Sequence, residues 1–153
     1  MENVRRISSF SVDHDLIDVG IYVSRIDGDI TTYDLRTRKP NMGDYMDNLT
    51  MHSVEHMVAT YIRNSEIGAD VIYFGPMGCR TGFYLLVRDI EPKDVITLVR
   101  DAFTFLRDFE GDIPGVSAIE CGNYLEHDLD DAKREAKEYI PVLDGYTVEM
   151  LKY

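Results

Sequence analysis

A chain of 153 residues, 44% hydrophobic and 29% charged, is composed as a globular protein and long enough to bury a real core. Its formal charge of −12 argues against a nucleic-acid partner, because phosphate contacts need clustered Lys and Arg. No window approaches the ~20 apolar residues of a membrane span, and none near the start suits a signal peptide. Its two cysteines, Cys79 and Cys121, are too few for a disulfide scaffold. The expectation is a single cytoplasmic domain over residues 1–153, with both thiols reduced and no repeat, linker or low-complexity run.

Taken in chain order, Ser8-Ser9-Phe10-Ser11-Val12-Asp13-His14 is short, polar and without a clear period. Residues 19–25 and 30–35 are rich in β-branched and aromatic types and read as strands. Asp27-Gly28 between them has the chemistry of a tight hairpin turn. Residues 35–41 form a basic loop; solvation accounts for most such loops, and anion binding stays open. A helix is expected from Asn48, a good N-cap, to about Asn64, with Gly68 ending the segment. Residues 69–74 read as a buried strand. The glycine-rich loop Gly75-Pro76-Met77-Gly78-Cys79-Arg80-Thr81-Gly82 must then bend sharply before a strand over 83–88. Pro92 suits a first helical position, and Val95, Leu98, Val99, Ala102, Phe103 and Leu106 continue at helical spacing, so residues 93–109 form a core helix. Asp128 caps a charged helix over 129–139, expected to stop before Pro141. Residues 146–153 read as a short terminal helix. Hairpins plus helices imply an α+β fold, a mostly antiparallel sheet with helices packed on one face.

The chemistry centres on His52-Ser53-Val54-Glu55-His56. At about 100° per residue His52, Glu55, His56 and Ala59 share one helix face, while Val54, Met57, Val58 and Tyr61 share the opposite one. One face lies on a core and the other presents two imidazoles and a carboxylate. Two histidines at i and i+4 can grip one metal ion, and a neighbouring carboxylate can move protons beside it. Solvated surface histidines are the plain alternative, weakened because the chain has only four. A catalytic metal wants three protein ligands and one open position. Spacing alone leaves Cys79 and Cys121 equal as the third.

Taken together, these motifs resemble those of the S-ribosylhomocysteine lyases. The likeness covers nearly the whole chain. It rests on Ser9-Phe10-Ser11-Val12-Asp13-His14, Asp34-Leu35-Arg36 with Pro40-Asn41, and His52-Ser53-Val54-Glu55-His56. It continues in Pro76-Met77-Gly78-Cys79-Arg80-Thr81-Gly82-Phe83-Tyr84, Cys121-Gly122-Asn123 and His127-Asp128-Leu129. A lone His-x-x-Glu-His is a weak signal; six motifs in this order are strong. The resemblance implies an α+β homodimer with shared active sites. It implies Fe(II), replaceable by zinc or cobalt, on residues matching His52, His56 and Cys121. It implies proton transfer by Cys79 and Glu55, and substrate contacts from Ser9, His14 and Arg36. The expected reaction cleaves the thioether of S-ribosylhomocysteine, giving homocysteine and 4,5-dihydroxy-2,3-pentanedione, the precursor of the quorum-sensing signal autoinducer-2. Two positions depart from the family pattern: Arg80 follows the reactive cysteine, and Tyr73 stands where some relatives carry an acid. His127 reads as a residue before the helix cap and is left out of the site.

Carbonyl migration along the sugar before β-elimination fits these residue types. Each shift removes a proton beside a carbonyl, which a divalent ion can assist as a Lewis acid, and a thiolate near a cation and loop amides suits the proton transfers. Two rivals compete. His-x-x-Glu-His is also an inverted-zincin arrangement, but such peptidases use a third, usually carboxylate, ligand and a far longer chain. A storage or sensing module would instead close the site with both cysteines.

Overall fold

The computed structural model describes residues 4–153; the first three residues of the stretch read as lacking a signal peptide lie outside that range. Its elements are β1 (Gly20–Asp27), β2 (Ile30–Arg36), α1 (Asn48–Arg63), β3 (Val71–Pro76), β4 (Gly82–Arg88), α2 (Pro92–Asp108) and α3 (Leu129–Leu143). Short 3₁₀ turns lie at Ser8–Phe10, Gly68–Asp70 and Val148–Leu151. The four strands form one antiparallel sheet in the order β1-β2-β4-β3.

Alternation along the strands sorts side chains between two faces. Ile21, Leu35, Phe83, Leu85 and Val87 point inward and are essentially buried. They meet Val54, Met57 and Val58 of α1, Val99 and Phe103 of α2, and Ala136 and Tyr139 of α3 in one core. Each large apolar side chain so buried contributes about 1.5–3 kcal/mol. This is the expected α+β arrangement, three helices on one face of an antiparallel sheet.

The start of the β1 edge, at Gly20 and Ile21, is met by α3 and the chain end. Tyr146 hydroxyl accepts from the Ile21 N–H at 2.9 Å and also hydrogen-bonds its carbonyl, and Tyr139 donates to the Gly20 carbonyl at 2.7 Å. Tyr153 then turns onto the outer face of the sheet, stacking on Tyr22 with centroids 4.9 Å apart.

Several boundaries differ from the expectation, each for a local reason. The N-cap of α1 is Asp47, whose carboxylate accepts from the Leu49 N–H at 2.8 Å; the neighbouring Asn48 is already helical. The β1–β2 turn consists of Gly28 and Asp29, with Gly28 at φ +61° supplying the left-handed conformation. Residues 69 and 70 lie in a 3₁₀ turn, and β3 continues through Gly75 and Pro76, which shortens the glycine-rich loop. Helix α3 runs through Pro141 because Ile140 and Leu143 on either side are packed into the core. Pro141 itself is exposed, so its missing N–H costs the last turn one hydrogen bond only. The terminal helix is a single 3₁₀ turn. Among the described residues, no helix is long and apolar enough to cross a membrane.

Candidate active site

Helix α1 packs through Thr50, Ser53, Val54, Met57, Val58 and Ile62, which leaves His52, Glu55 and His56 half-buried on its far side. The connection between α2 and α3 lies across that side. His52 Nδ1–H donates to the Glu126 carbonyl at 2.9 Å, and His56 Nδ1–H donates to the Pro114 carbonyl at 2.9 Å. Carbonyls only accept, so both rings carry their proton on Nδ1 and keep a lone pair on Nε2. The close approach at His56 depends on Gly115, at φ +74°, where an added Cβ would stand 3.3 Å from His56 Nδ1.

Cys121 is delivered by the same connection, its N–H donating to the Ser117 carbonyl at 3.0 Å. Its sulfur lies 3.4 Å from His52 Nε2 and 3.8 Å from His56 Nε2. With His127 these residues offer four ligand atoms, all within 4.8 Å of one another. Two imidazoles locked in the metal-binding tautomer and one thiol fit a divalent ion of borderline softness. His127 is held closely, its ring 3.9 Å from that of His52 and 4.6 Å from that of His56. Burial and the two neighbouring imidazoles push its pKa down to about 4. Glu55 projects from the same face of α1 and has no hydrogen bond or ion pair among the described residues.

Cys79 is not in this group. It belongs to a second cluster on the outer face of the sheet, the face turned away from the helices. Asp34 and Arg36, two apart on β2, share that face and are almost wholly buried. Arg36 donates to Asp34 Oδ2 at 2.6 Å and to Thr81 Oγ1 at 2.8 Å. Thr81 Oγ1 is in turn 3.1 Å from the Cys79 sulfur, and Arg36 Nη1 lies 3.8 Å from it. Burial disfavours the Arg36 charge, but the hydrogen bond and charge of Asp34 outweigh it and raise the guanidinium pKa. Tyr153 hydroxyl completes the chain of bonds, donating to Asp34 at 2.7 Å.

The remaining sequence candidates lie on this outer side. Ser9 borders a groove of about 410 Å³ with Tyr73, Tyr84 and Leu86. His14 is half-buried, with Nδ1 2.9 Å from the Val12 carbonyl. Its neighbours Val12, Asp13 and Leu16 line a groove with Tyr22 and Tyr153. Arg80, at φ +61°, is committed elsewhere, donating to the Met46 carbonyl at 3.3 Å with its guanidinium over the Tyr45 ring. The sequence assigns Thr81 no role and reads His127 as the residue before the helix cap. Two signals point to His127, its place in the His127-Asp128-Leu129 motif and the scarcity of histidine, since three of the four in the chain converge here.

Residues 7–147 match the profile of the family described as S-Ribosylhomocysteinase (LuxS). The chain belongs to that family. A protein of Borreliella burgdorferi named S-ribosylhomocysteine lyase is 45% identical over 156 residues, covering 98% of this chain and 99% of the relative. Proteins of the same name from Desulfotalea psychrophila and Phocaeicola vulgatus are 45% and 43% identical, again over 98% of this chain and 98–99% of the relatives. The matched residues contain both clusters, the histidines and Cys121 on one side and the Arg36–Thr81–Cys79 chain on the other.

Proposed function

We propose that this protein is an S-ribosylhomocysteine lyase that holds a divalent ion on His52, His56 and Cys121. The observation that carries the reading is the convergence of the Cys121 sulfur on the two Nε2 atoms, each already freed for coordination by a carbonyl on Nδ1. When bound, the ion supplies Lewis-acid stabilisation of negative charge on a sugar oxygen. His/His/Cys suits Fe(II), with zinc or cobalt able to substitute.

The chain's own groups do the rest. Cys79 and Glu55 remove a proton from the carbon beside the sugar carbonyl and return it to the neighbouring carbon, so the carbonyl moves along the chain. When the carbon bearing sulfur stands β to the carbonyl, loss of the intervening proton forms a carbon–carbon double bond as the carbon–sulfur bond breaks. The departing homocysteine sulfur takes a proton. The enol left behind becomes 4,5-dihydroxy-2,3-pentanedione, the autoinducer-2 precursor. No electrons are gained or lost overall. Ser9, His14 and Arg36 are assigned to the substrate.

We further propose a two-fold homodimer with shared sites. The imidazole–thiol group lies on the side of α1 away from the sheet, and Cys79 lies on the side of the sheet away from α1. One chain therefore carries the two halves in separate clusters. A second copy related by a two-fold axis can bring its Cys79 cluster to the first chain's imidazole–thiol group, so that the symmetry completes both sites. Mixing purified protein with S-ribosylhomocysteine and titrating new thiol tests the activity. A reading at the no-enzyme rate with the ion fully loaded would contradict it.

A further inference from the structure

The fourth member of the imidazole–thiol group differs from the other two histidines in what holds it. His127 Nδ1 lies 3.2 Å from Ser53 Oγ, and that oxygen already accepts the Asp128 N–H at 2.8 Å. Ser53 is completely buried, so its hydroxyl hydrogen needs an acceptor inside the protein. Among the described residues, His127 Nδ1 is the acceptor it has. A neutral imidazole that accepts on Nδ1 carries its own proton on Nε2. His127 Nε2 is itself buried and has no hydrogen-bond partner among the described residues. His52 and His56 present the opposite tautomer, because their Nδ1 partners are carbonyls. The ring is stacked on His52 at an interplanar angle of 26° and set edge-on to His56.

We propose that His127 is a catalytic donor and not a fourth ligand. Its Nε2–H is the nitrogen left to the cluster, and it donates a hydrogen bond to the substrate oxygen that occupies the position left open by His52, His56 and Cys121. A buried, unpaired donor fixed before substrate arrives needs no reorganisation when negative charge develops on that oxygen. Three ligands and one donor also keep the site open, where four ligands would close it. Ser53 becomes a positioning residue, since its hydroxyl selects the tautomer. The inference rests on the metal reading above.

Nitrogen-15 NMR of the histidines in the zinc-loaded, full-length protein tests it without turnover. The expected spectrum has His52 and His56 protonated on Nδ1 with Nε2 bound to zinc, and His127 protonated on Nε2 with Nδ1 bare. Zinc on His127, or its proton on Nδ1, would overturn the donor role while leaving the other two ligands standing. Bare Nε2 atoms on His52 and His56 would overturn the metal reading, and the inference with it. A second arm uses cobalt-substituted His127→Leu. It should keep the visible and thiolate-to-cobalt bands of the unsubstituted protein and turn over ~10²-fold more slowly, as for loss of one oxyanion donor. Altered cobalt bands, or turnover at the unsubstituted rate, would overturn the proposal.

Discussion

Thr81 Oγ1 stands 3.1 Å from the sulfur of Cys79 while accepting a hydrogen bond from the buried Arg36 at 2.8 Å. With its oxygen engaged by a cation, the threonine directs its one hydrogen toward the Cys79 sulfur. Hydrogen bonds to charged groups are worth about 1.5–3 kcal/mol, so Thr81→Val should lower kcat/KM by about tenfold to a hundredfold. Iodoacetamide should also alkylate Cys79 more slowly. Thr81→Ser keeps the hydroxyl and should stay near the unsubstituted values. Alkylation of Thr81→Val at the unsubstituted rate would remove Thr81 from the account.

Asp34 matters for stability as well as for the site. Among the described residues, its carboxylate is the only acidic partner of a guanidinium that is 3% exposed. Removing one member of a buried pair strands the other, at about 3–5 kcal/mol. Asp34→Ala should therefore shift the denaturant midpoint strongly, whereas Tyr153→Phe, which deletes one hydrogen bond to Asp34, should cost about 1 kcal/mol. Equal effects from the two substitutions would contradict this ordering.

The two thiols should separate cleanly in metal analysis. Cys121→Ser and His52→Ala should lose the ion, and Cys79→Ser should keep it, because Cys79 lies in the other cluster. Loss of the ion from Cys79→Ser with retention in Cys121→Ser would reverse the ligand assignment.

Much of this was legible in the sequence, and what was not has a physical cause. The stripe Val95, Leu98, Val99, Ala102, Phe103 and Leu106 is a local period, and all six are buried. His52 and His56 are one helical turn apart, so their shared face was equally local. The pairing of Asp34 with Arg36 on one sheet face follows from strand alternation. Their burial does not, because Tyr153 at the far end of the chain reaches back to Asp34 and Thr81 to Arg36. Thr81 and His127 acquire roles only through tertiary contacts. His127 meets a serine 74 residues away, and no local pattern encodes that meeting. Pro141 misled because local bias against helix before proline yields to the packing of Ile140 and Leu143.

The proposed role of Glu55 as a proton carrier rests on its position, on the face of α1 that bears His52 and His56 and, among the described residues, free of internal partners. Glu55→Gln should keep the fold and the ion and lose product formation by at least the ~10²-fold typical of acid–base groups. Circular dichroism, metal content and thiol release on one preparation would check all three. Near-normal thiol release would exclude Glu55 from the chemistry.

The central claim is that Cys79 of one chain serves the ion and Glu55 of a second. Mixing inactive Cys79→Ala with inactive Glu55→Gln under conditions of subunit exchange tests it most directly. Random exchange gives about half heterodimers, each with one intact and one doubly damaged site if the halves come from different subunits. Activity should then recover to roughly a quarter of the unsubstituted value, given independent sites. Heterodimers verified by native mass spectrometry that remain inactive would place Cys79 and Glu55 in the same subunit's site and contradict the account.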